Sequence, residues 1–383
     1  MNEVVIVEAV RTPIGKRNGV LANVHAADLL GMTLLELVAR SGIDAAEVDQ
    51  VLAGCVAQAG EQSFDIARTA WLGAGLPIEV PGSTIDAQCG SSQQAFNLAA
   101  SAVAAGAAEV VVACGVELMS RVQLNDAIRG PGRPFAKSYL SRYEPTTQFE
   151  GADRIARRWA VTREDCDELG LRSQQRARRA WNDGRFDREV MAVEVPGDSG
   201  SHVSGRDEGL RDTSLEALAR LTPVSKPEGV HTAGTSSQIA DGAAAALLTT
   251  RKAAERLGLR PRAVVRHQTL VGSDPELMLT GPIPATTALL KRSGMEIDDF
   301  DVIEINEAFA SVVLAWQREF EPNPDRVNPN GGAIALGHPL GCTGVRLVTT
   351  ALHELERTGG GRALITMCCG GGLGTGTIIE APS

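Results

Sequence analysis

No uninterrupted apolar run in this sequence is long enough to cross a bilayer. The longest weakly polar stretch, residues 95–108, is broken by Asn97, Ser101 and Gly106 and stopped by Glu109, whereas a spanning helix needs about 20 strongly apolar residues. No basic segment with a cleavage site precedes Val4, Val5, Ile6 and Val7, so residues 1–9 read as a strand and no signal peptide is expected. Positive charge is in deficit: 37 basic against 47 acidic residues give a net charge of -10 and a pI near 5.2. That balance argues against nucleic acid or an anionic membrane as the main partner. The spacings C-x-x-C and H-x-x-x-H are missing, so no metal site is expected, and G-x-G-x-x-G is missing, which removes the dinucleotide-binding fingerprint. Seven cysteines, an odd number, fit free thiols in a reducing, cytoplasmic setting better than a disulfide framework.

What is present is a chain of 383 residues, 43% hydrophobic and 22% charged, with mean hydropathy -0.04. It can bury a core, and its length predicts two or three lobes. An internal duplication organises it. A strand at 4–8, a helix at 27–39 and a strand at 50–55 are echoed by 263–268, 283–291 and 300–305, with Ser41-Gly42 and Ser293-Gly294 marking equivalent helix ends. Each half continues through a turn, a helix and a last apolar strand: 84–89, 91–105 and 110–114, then 327–338, 341–356 and 363–367. Alternation of this kind predicts layered α/β structure with two similar halves. Between them, 120–233 reads as an insertion. Its part 121–190 holds 14 Arg and 1 Lys against 11 acids, a net of +4 inside an acidic protein, and is where an anionic ligand would be sought.

Four short segments carry chemistry. Cys89 stands just before a helix, where free N–H groups and the helix dipole favour a thiolate, although a small thiol packed at a helix start has the same pattern. His338 occupies the matching place in the second half, flanked by Gly337 and Gly341, and an imidazole near a thiol can take its proton. Cys368 and Cys369 end an apolar strand before Gly370-Gly371-Gly372; neighbours on a strand point to opposite faces, so at most one can face Cys89. Asn306, where a strand meets a helix, is either an N-cap or a group that holds a water or a carbonyl oxygen.

Taken in order, Gln88-Cys89-Gly90-Ser91, Asn306-Glu307-Ala308-Phe309-Ala310, Gly337-His338-Pro339 and Cys368-Cys369-Gly370-Gly371-Gly372 resemble the motifs of the thiolase family of CoA-dependent acyltransferases. The resemblance spans nearly the whole chain. It implies an α/β, thiolase-like layered αβαβα fold of two similar halves: 1–258, carrying an inserted loop domain at about 119–235, and 259–383. It also implies that Cys89 is the nucleophile, His338 its base, Cys368 the acid/base thiol that handles the α-carbon proton, and Cys369 packing. One oxyanion hole would use His338 and a water on Asn306, the other the N–H groups of Cys89 and Gly370.

For CoA, the resemblance points to Ser237 beside the pantetheine, Gln148 along the channel, and Arg211 with Thr213 near the nucleotide end. CoA is a co-substrate, and no permanently bound cofactor is implied. Where short-chain biosynthetic members carry a bulky Met, this chain has Gln148-Phe149-Glu150-Gly151-Ala152-Asp153, which makes room for a longer or branched acyl group. Gly60-Glu61-Gln62-Ser63, Gln93-Gln94 and Thr235-Ser236-Ser237-Gln238 resemble the bacterial branch acting on steroid side chains. The expected activity is therefore degradative cleavage of 3-ketoacyl-CoA. A biosynthetic acetoacetyl-CoA thiolase and a non-catalytic acyl-CoA carrier are the alternatives. The expected assembly is a homodimer paired into a tetramer through the loop domain.

Overall fold

The computed structural model describes residues 2–196 and 200–382; the expected first strand begins inside this range, Met1 lying outside the described residues. Ten strands form one sheet, nine of them along a continuous path. In chain order they are β1 (Val4–Arg11), β2 (Gly15–Lys16), β3 (Gln50–Gly54), β4 (Gly82–Ile85) and β5 (Val110–Leu118), and, after the hairpin β6 (Val193–Val195) and β7 (His202–Ser204), β8 (Ala240–Thr250), β9 (Ala263–Gly272), β10 (Val302–Ile305), β11 (Arg362–Cys369) and β12 (Leu373–Glu380).

The duplication is visible in how these strands pair. In the first half β1 pairs antiparallel with β8, β8 antiparallel with β5, and β5 parallel with β3. In the second, β9 pairs antiparallel with β12, β12 antiparallel with β11, and β11 parallel with β10. The halves join where β1 meets β9, through Val5 with Val264 and Ile6 with Ala263. The helices Ala26–Ser41 and Pro282–Ser293 end alike: Gly42 and Gly294 adopt φ 72° and 70° and donate N–H to Val38 and Leu290. A left-handed cap of this kind suits glycine.

Three hydrophobic clusters define the layers. Helices Ala26–Ser41 and Ile66–Gly73 pack Leu29, Leu30, Leu34 and Trp71 against Val5, Val7, Val112 and Leu247 of the first half. Helices Pro282–Ser293 and Ala310–Phe320 cover Ile303, Ile305, Leu364 and Ile378 of the second. Between the sheets lie the helices that follow Cys89 and His338, Ser91–Ala105 and Leu340–Thr358; Phe96, Val103, Val345 and Leu352 pack there against Ile6, Val111, Ile365 and Ile379. This is the αβαβα order.

Two strands are additional to those expected: β8, a fully buried inner strand, and β12, which follows the expected last strand at 363–367. Ala243, Ala244, Ala245 and Ala246 fill the middle of β8 and Gly374 and Gly376 interrupt β12, residues of weak strand propensity. Small residues are needed there: the position of a Cβ on Gly374 is already taken by the backbone of Gly281.

Between Leu118 and Ala240 the chain forms helices Gln148–Arg158, Arg163–Asn182 and Leu215–Ala219 and the β6–β7 hairpin. This segment is tied to the body by a buried charge network. Arg11 on β1 pairs with Asp207 at 2.7 Å and with Glu189 at 2.6 Å, all three side chains being inaccessible to solvent or nearly so. The positive excess is more localised than the sequence suggested. Residues 121–143 hold 5 basic side chains and 1 acidic one, whereas 144–190 are balanced at 10 and 10.

Candidate active site

Cys89 follows a tight turn after β4. Gln88 adopts φ 53°, in the left-handed region that residues with a Cβ rarely enter. Ser91 clamps the turn, donating its hydroxyl to Gln88 O at 2.5 Å and accepting from Ala87 N at 3.0 Å. The helix begins at Ser91 with Gly90 as its cap, which leaves the Cys89 thiol half-buried and reachable.

His338 is fixed at both ring nitrogens. Nε2 lies 3.3 Å from Asn306 Nδ2, and Nδ1 lies 2.7 Å from Thr343 Oγ1. Its backbone N–H donates to Gln238 O at 3.0 Å. Asn306 is not an N-cap: the following helix starts at Ala310 with Phe309 in the cap position. The carboxamide is instead spent on His338, and its Oδ1 is buried without a protein partner. Pro339 is the cap of the helix that follows His338.

The vicinal cysteines face opposite ways, as strand geometry requires. Cys368 lies among Ala308, Phe309, Leu279 and Ile155. Cys369 lies in the central layer, where a side chain at Gly90 would meet its sulfur at 2.5 Å. The candidates fall into two groups: Asn306 touches His338, and the Gly370 N–H is directed at the Cys89 sulfur, with Cys368 a neighbour of Cys89.

Electrostatics modify the expectation for Cys89. Burial pushes its thiol up to about 11, and the N–H groups of Gly370 and Cys89 itself only partly oppose this. Desolvation thus works against the thiolate that the helix terminus favours. Burial and then the charge of Arg346 lower His338 to about 3, leaving a neutral imidazole. Cys368 is raised well above the usual thiol range by burial and by the neighbouring Cys89.

The residues expected to meet CoA fall into two groups. Ser237 is half-buried and its N–H donates to Ala308 O at 2.9 Å, next to the Phe309 ring. Gln148 opens its helix beside Phe149, whose ring stands edge-on to Phe309 at 5.6 Å. Arg211 is exposed, its guanidinium donating to Ala233 O at 3.1 Å and its N–H to Gln174 Oε1 at 2.9 Å. Thr213, two residues on, is half-buried. The neighbouring Arg178 is engaged with Asp212 at 2.6 Å.

Three functional neighbours were not read from the sequence. Thr343 touches His338; its signal was a hydroxyl residue in the first turn of the helix after the histidine. The buried Glu117 carboxylate accepts from Val56 N, Ala57 N, Gln62 Nε2 and Gly341 N, at 3.0, 3.0, 2.7 and 2.9 Å, and so ties the loop after β3 to the His338 turn. Glu304, one pleat below Asn306, faces Arg346 at 3.6 Å, both fully buried; burial pushes Glu304 up to about 8. Among the described residues no group of three or more His, Cys, Asp or Glu side chains is arranged to hold a metal ion.

Comparison with known proteins shows the family. The family description "Thiolase, N-terminal domain" matches residues 4–252 and "Thiolase, C-terminal domain" matches residues 259–381. A steroid 3-ketoacyl-CoA thiolase of Mycobacterium tuberculosis is 48% identical over 390 residues, covering 99% of this chain and 94% of that protein. A beta-ketoadipyl-CoA thiolase of Pseudomonas aeruginosa is 46% identical over 396 residues, covering 99% of both. The crystal structure of the Bacillus anthracis acetyl-CoA acetyltransferase superposes with a TM-score of 0.93 at 37% identity, covering 100% of this chain and 99% of that one.

Proposed function

Because the chain belongs to the thiolase family of acyltransferases, which use CoA as co-substrate, we propose that it cleaves 3-ketoacyl-CoA with CoA, through an acyl-enzyme on Cys89. The single observation that supports this reading is that a thiol pair, Cys89 with Cys368, and an imidazole–carboxamide pair, His338 with Asn306, belong to helices and strands whose backbones meet at Gly344 and Gln93. His338 Nε2 takes the Cys89 proton as the sulfur attacks the C3 carbonyl. The oxygen on that carbon is bound where the N–H groups of Cys89 and Gly370 converge on the sulfur.

When the C2–C3 bond breaks, its electrons become the enolate of acetyl-CoA, and the enolate oxygen falls to His338 and a water on Asn306. The Cys368 thiol gives its proton to the enolate carbon. Acetyl-CoA leaves, and the thiol of incoming CoA returns a proton to Cys368 as its sulfur attacks the thioester. The shortened acyl-CoA departs while Cys89 recovers its proton from His338. Atoms and charges balance without a further group.

For the acyl chain we favour a bulky, uncharged group. Cys368 shares a cluster with the apolar side chains Ala152, Ile155, Leu279, Phe309 and Val312, flanked by Met278 and Trp159, with the neutral polar groups of His231 and Ser311 behind Phe309 and Ala152. A beta-ketoadipyl chain would bring a terminal carboxylate into that cluster, and desolvating an unpaired charge is costly. Breakdown of steroid side chains or fatty acids is the pathway this suits, in the cytoplasm, where seven free thiols stay reduced. Mass spectrometry after incubation with a 3-ketoacyl-CoA tests the chemistry; an acyl group on any residue other than Cys89 overturns it. A strong preference for acetoacetyl-CoA over a bulky 3-ketoacyl-CoA in kcat/KM would favour the biosynthetic alternative.

The proposed assembly is a homodimer, paired into a tetramer through the inserted segment. β4 ends the sheet, and Phe64 and Ile78 on neighbouring turns are 90% and 71% exposed, a surface that a second copy would cover. A stable monomer in solution scattering would contradict it.

A further inference from the structure

We infer that Thr343 is a positioning residue that sets the tautomer of His338, and so lets one ring nitrogen act first as base and then as hydrogen-bond donor. The inference rests on the acyl-transfer reading above and adds to it how a single imidazole serves two steps in order.

Thr343 Oγ1 lies 2.7 Å from His338 Nδ1 and 2.7 Å from Pro339 O. A hydroxyl has one proton, and a carbonyl oxygen can only accept. With that proton given to Pro339, the hydroxyl faces the ring as an acceptor, so Nδ1 carries the ring hydrogen and Nε2 is bare. The opposite side of the ring agrees, because the Asn306 Nδ2 amide donates to Nε2 at 3.3 Å. The partner of one imidazole nitrogen decides the state of the other.

The consequence is an ordered use of Nε2. Bare, it takes the proton from the Cys89 sulfur. The resulting imidazolium carries a hydrogen at Nε2, which is the atom directed at the enolate oxygen once the C2–C3 bond breaks. When the acyl group leaves, the same proton goes back to the sulfur. A ring that began with hydrogen on Nε2 could donate at the second step but could not accept at the first. Thr343 is fully buried at the start of a helix, so no solvent replaces its hydroxyl.

The test compares Thr343→Val, which keeps the shape and removes the hydroxyl, with Thr343→Ser, which keeps the hydroxyl. Readouts are the rate of Cys89 acylation by a 3-ketoacyl-CoA, kcat and KM separately, and the ¹⁵N shifts of His338, assignable in a chain with six histidines. We expect T343V to lower the acylation rate and kcat by about 10- to 100-fold, with KM little changed, and T343S to restore them. Wild-type Nε2 should give the signal of a bare nitrogen at neutral pH, a measurement that stands even if T343V does not fold. Full acylation by T343V, or a protonated Nε2 in the resting wild type, overturns the inference while leaving the acyl-enzyme reading intact. Failure of the wild type to acylate Cys89 overturns that reading instead.

Discussion

Gly344 stands directly against the backbone nitrogen of Gln93, with no side chain between the helix that follows Cys89 and the helix that follows His338. Close by, Val345 N–H donates to Ser92 Oγ at 3.1 Å. The two reactive residues are therefore spaced by backbone contact between their helices. In an exposed helix Gly→Ala gains about 1 kcal/mol, but here the new methyl occupies the place of Gln93, and overpacking of this sort costs about 1–3 kcal/mol. Gly344→Ala is expected to lower the urea midpoint and reduce kcat together. An unchanged midpoint would show that the crossing has slack.

Cys368 and Cys89 should separate by reaction. Transfer of an acetyl group from acetyl-CoA to Cys89 and back to CoA needs no proton at carbon, so Cys368→Ser should retain exchange of labelled CoA into acetyl-CoA within about tenfold. Carbon–carbon cleavage, which needs the second acid, should fall by about 100-fold or more. Cys89→Ala should lose both. If C368S lost exchange and cleavage equally, Cys368 would be serving the sulfur chemistry and its assigned role would fail.

The candidate residues could be singled out because their chemistry resides in residue identity: a thiol before a helix, a histidine between glycines, a carboxamide at a strand end, a thiol before a glycine run. The paired halves were legible from Ser41-Gly42 and Ser293-Gly294, since left-handed caps announce themselves locally. β8 and β12 were hidden because close packing places alanines in the middle of β8 and Gly374 and Gly376 in β12, where strand-forming residues would have marked them. Contacts across long separations left no local mark, Arg11 with Asp207 being 196 residues apart. The raised thiol of Cys89 was missed for a related reason: the helix terminus is a local feature, whereas the burial that overrides it comes from both halves.

His231 offers a readout of acid sensitivity. Its Nε2 contacts Ser311 Oγ at 2.9 Å, its Nδ1 is buried without a partner, and burial lowers it from 6.5 to about 4 despite Asp153 nearby. A depressed folded value means that its stability contribution is fully present above 6.5 and is lost as pH falls toward 4. Within that window one buried group contributes a slope of about 1.4 kcal/mol per pH unit. The free energy of urea unfolding in His231→Leu is therefore expected to fall less steeply with acidity than in the wild type, by about that amount. Equal slopes would mean that the ring takes up its proton in the folded state.

Alkylation of Cys89 tests whether the resting site holds an ion pair or a neutral pair. Iodoacetamide is uncharged and reacts with the thiolate, so its rate follows the thiolate fraction. A thiol near 11 beside an imidazole near 3 gives a rate that climbs about tenfold per pH unit from 7 to 10 without a plateau. A preformed thiolate–imidazolium pair would instead give a plateau below pH 8, and that result would refute the neutral resting state. Peptide mapping identifies the labelled thiol, because Cys55, Cys114, Cys166, Cys342, Cys368 and Cys369 are all buried and Cys89 alone is half-buried. A neutral resting pair requires that proton transfer accompany attack on the bound carbonyl, where the Gly370 and Cys89 N–H groups meet developing charge. The thiol is thereby kept from reacting with other electrophiles until a substrate is in place.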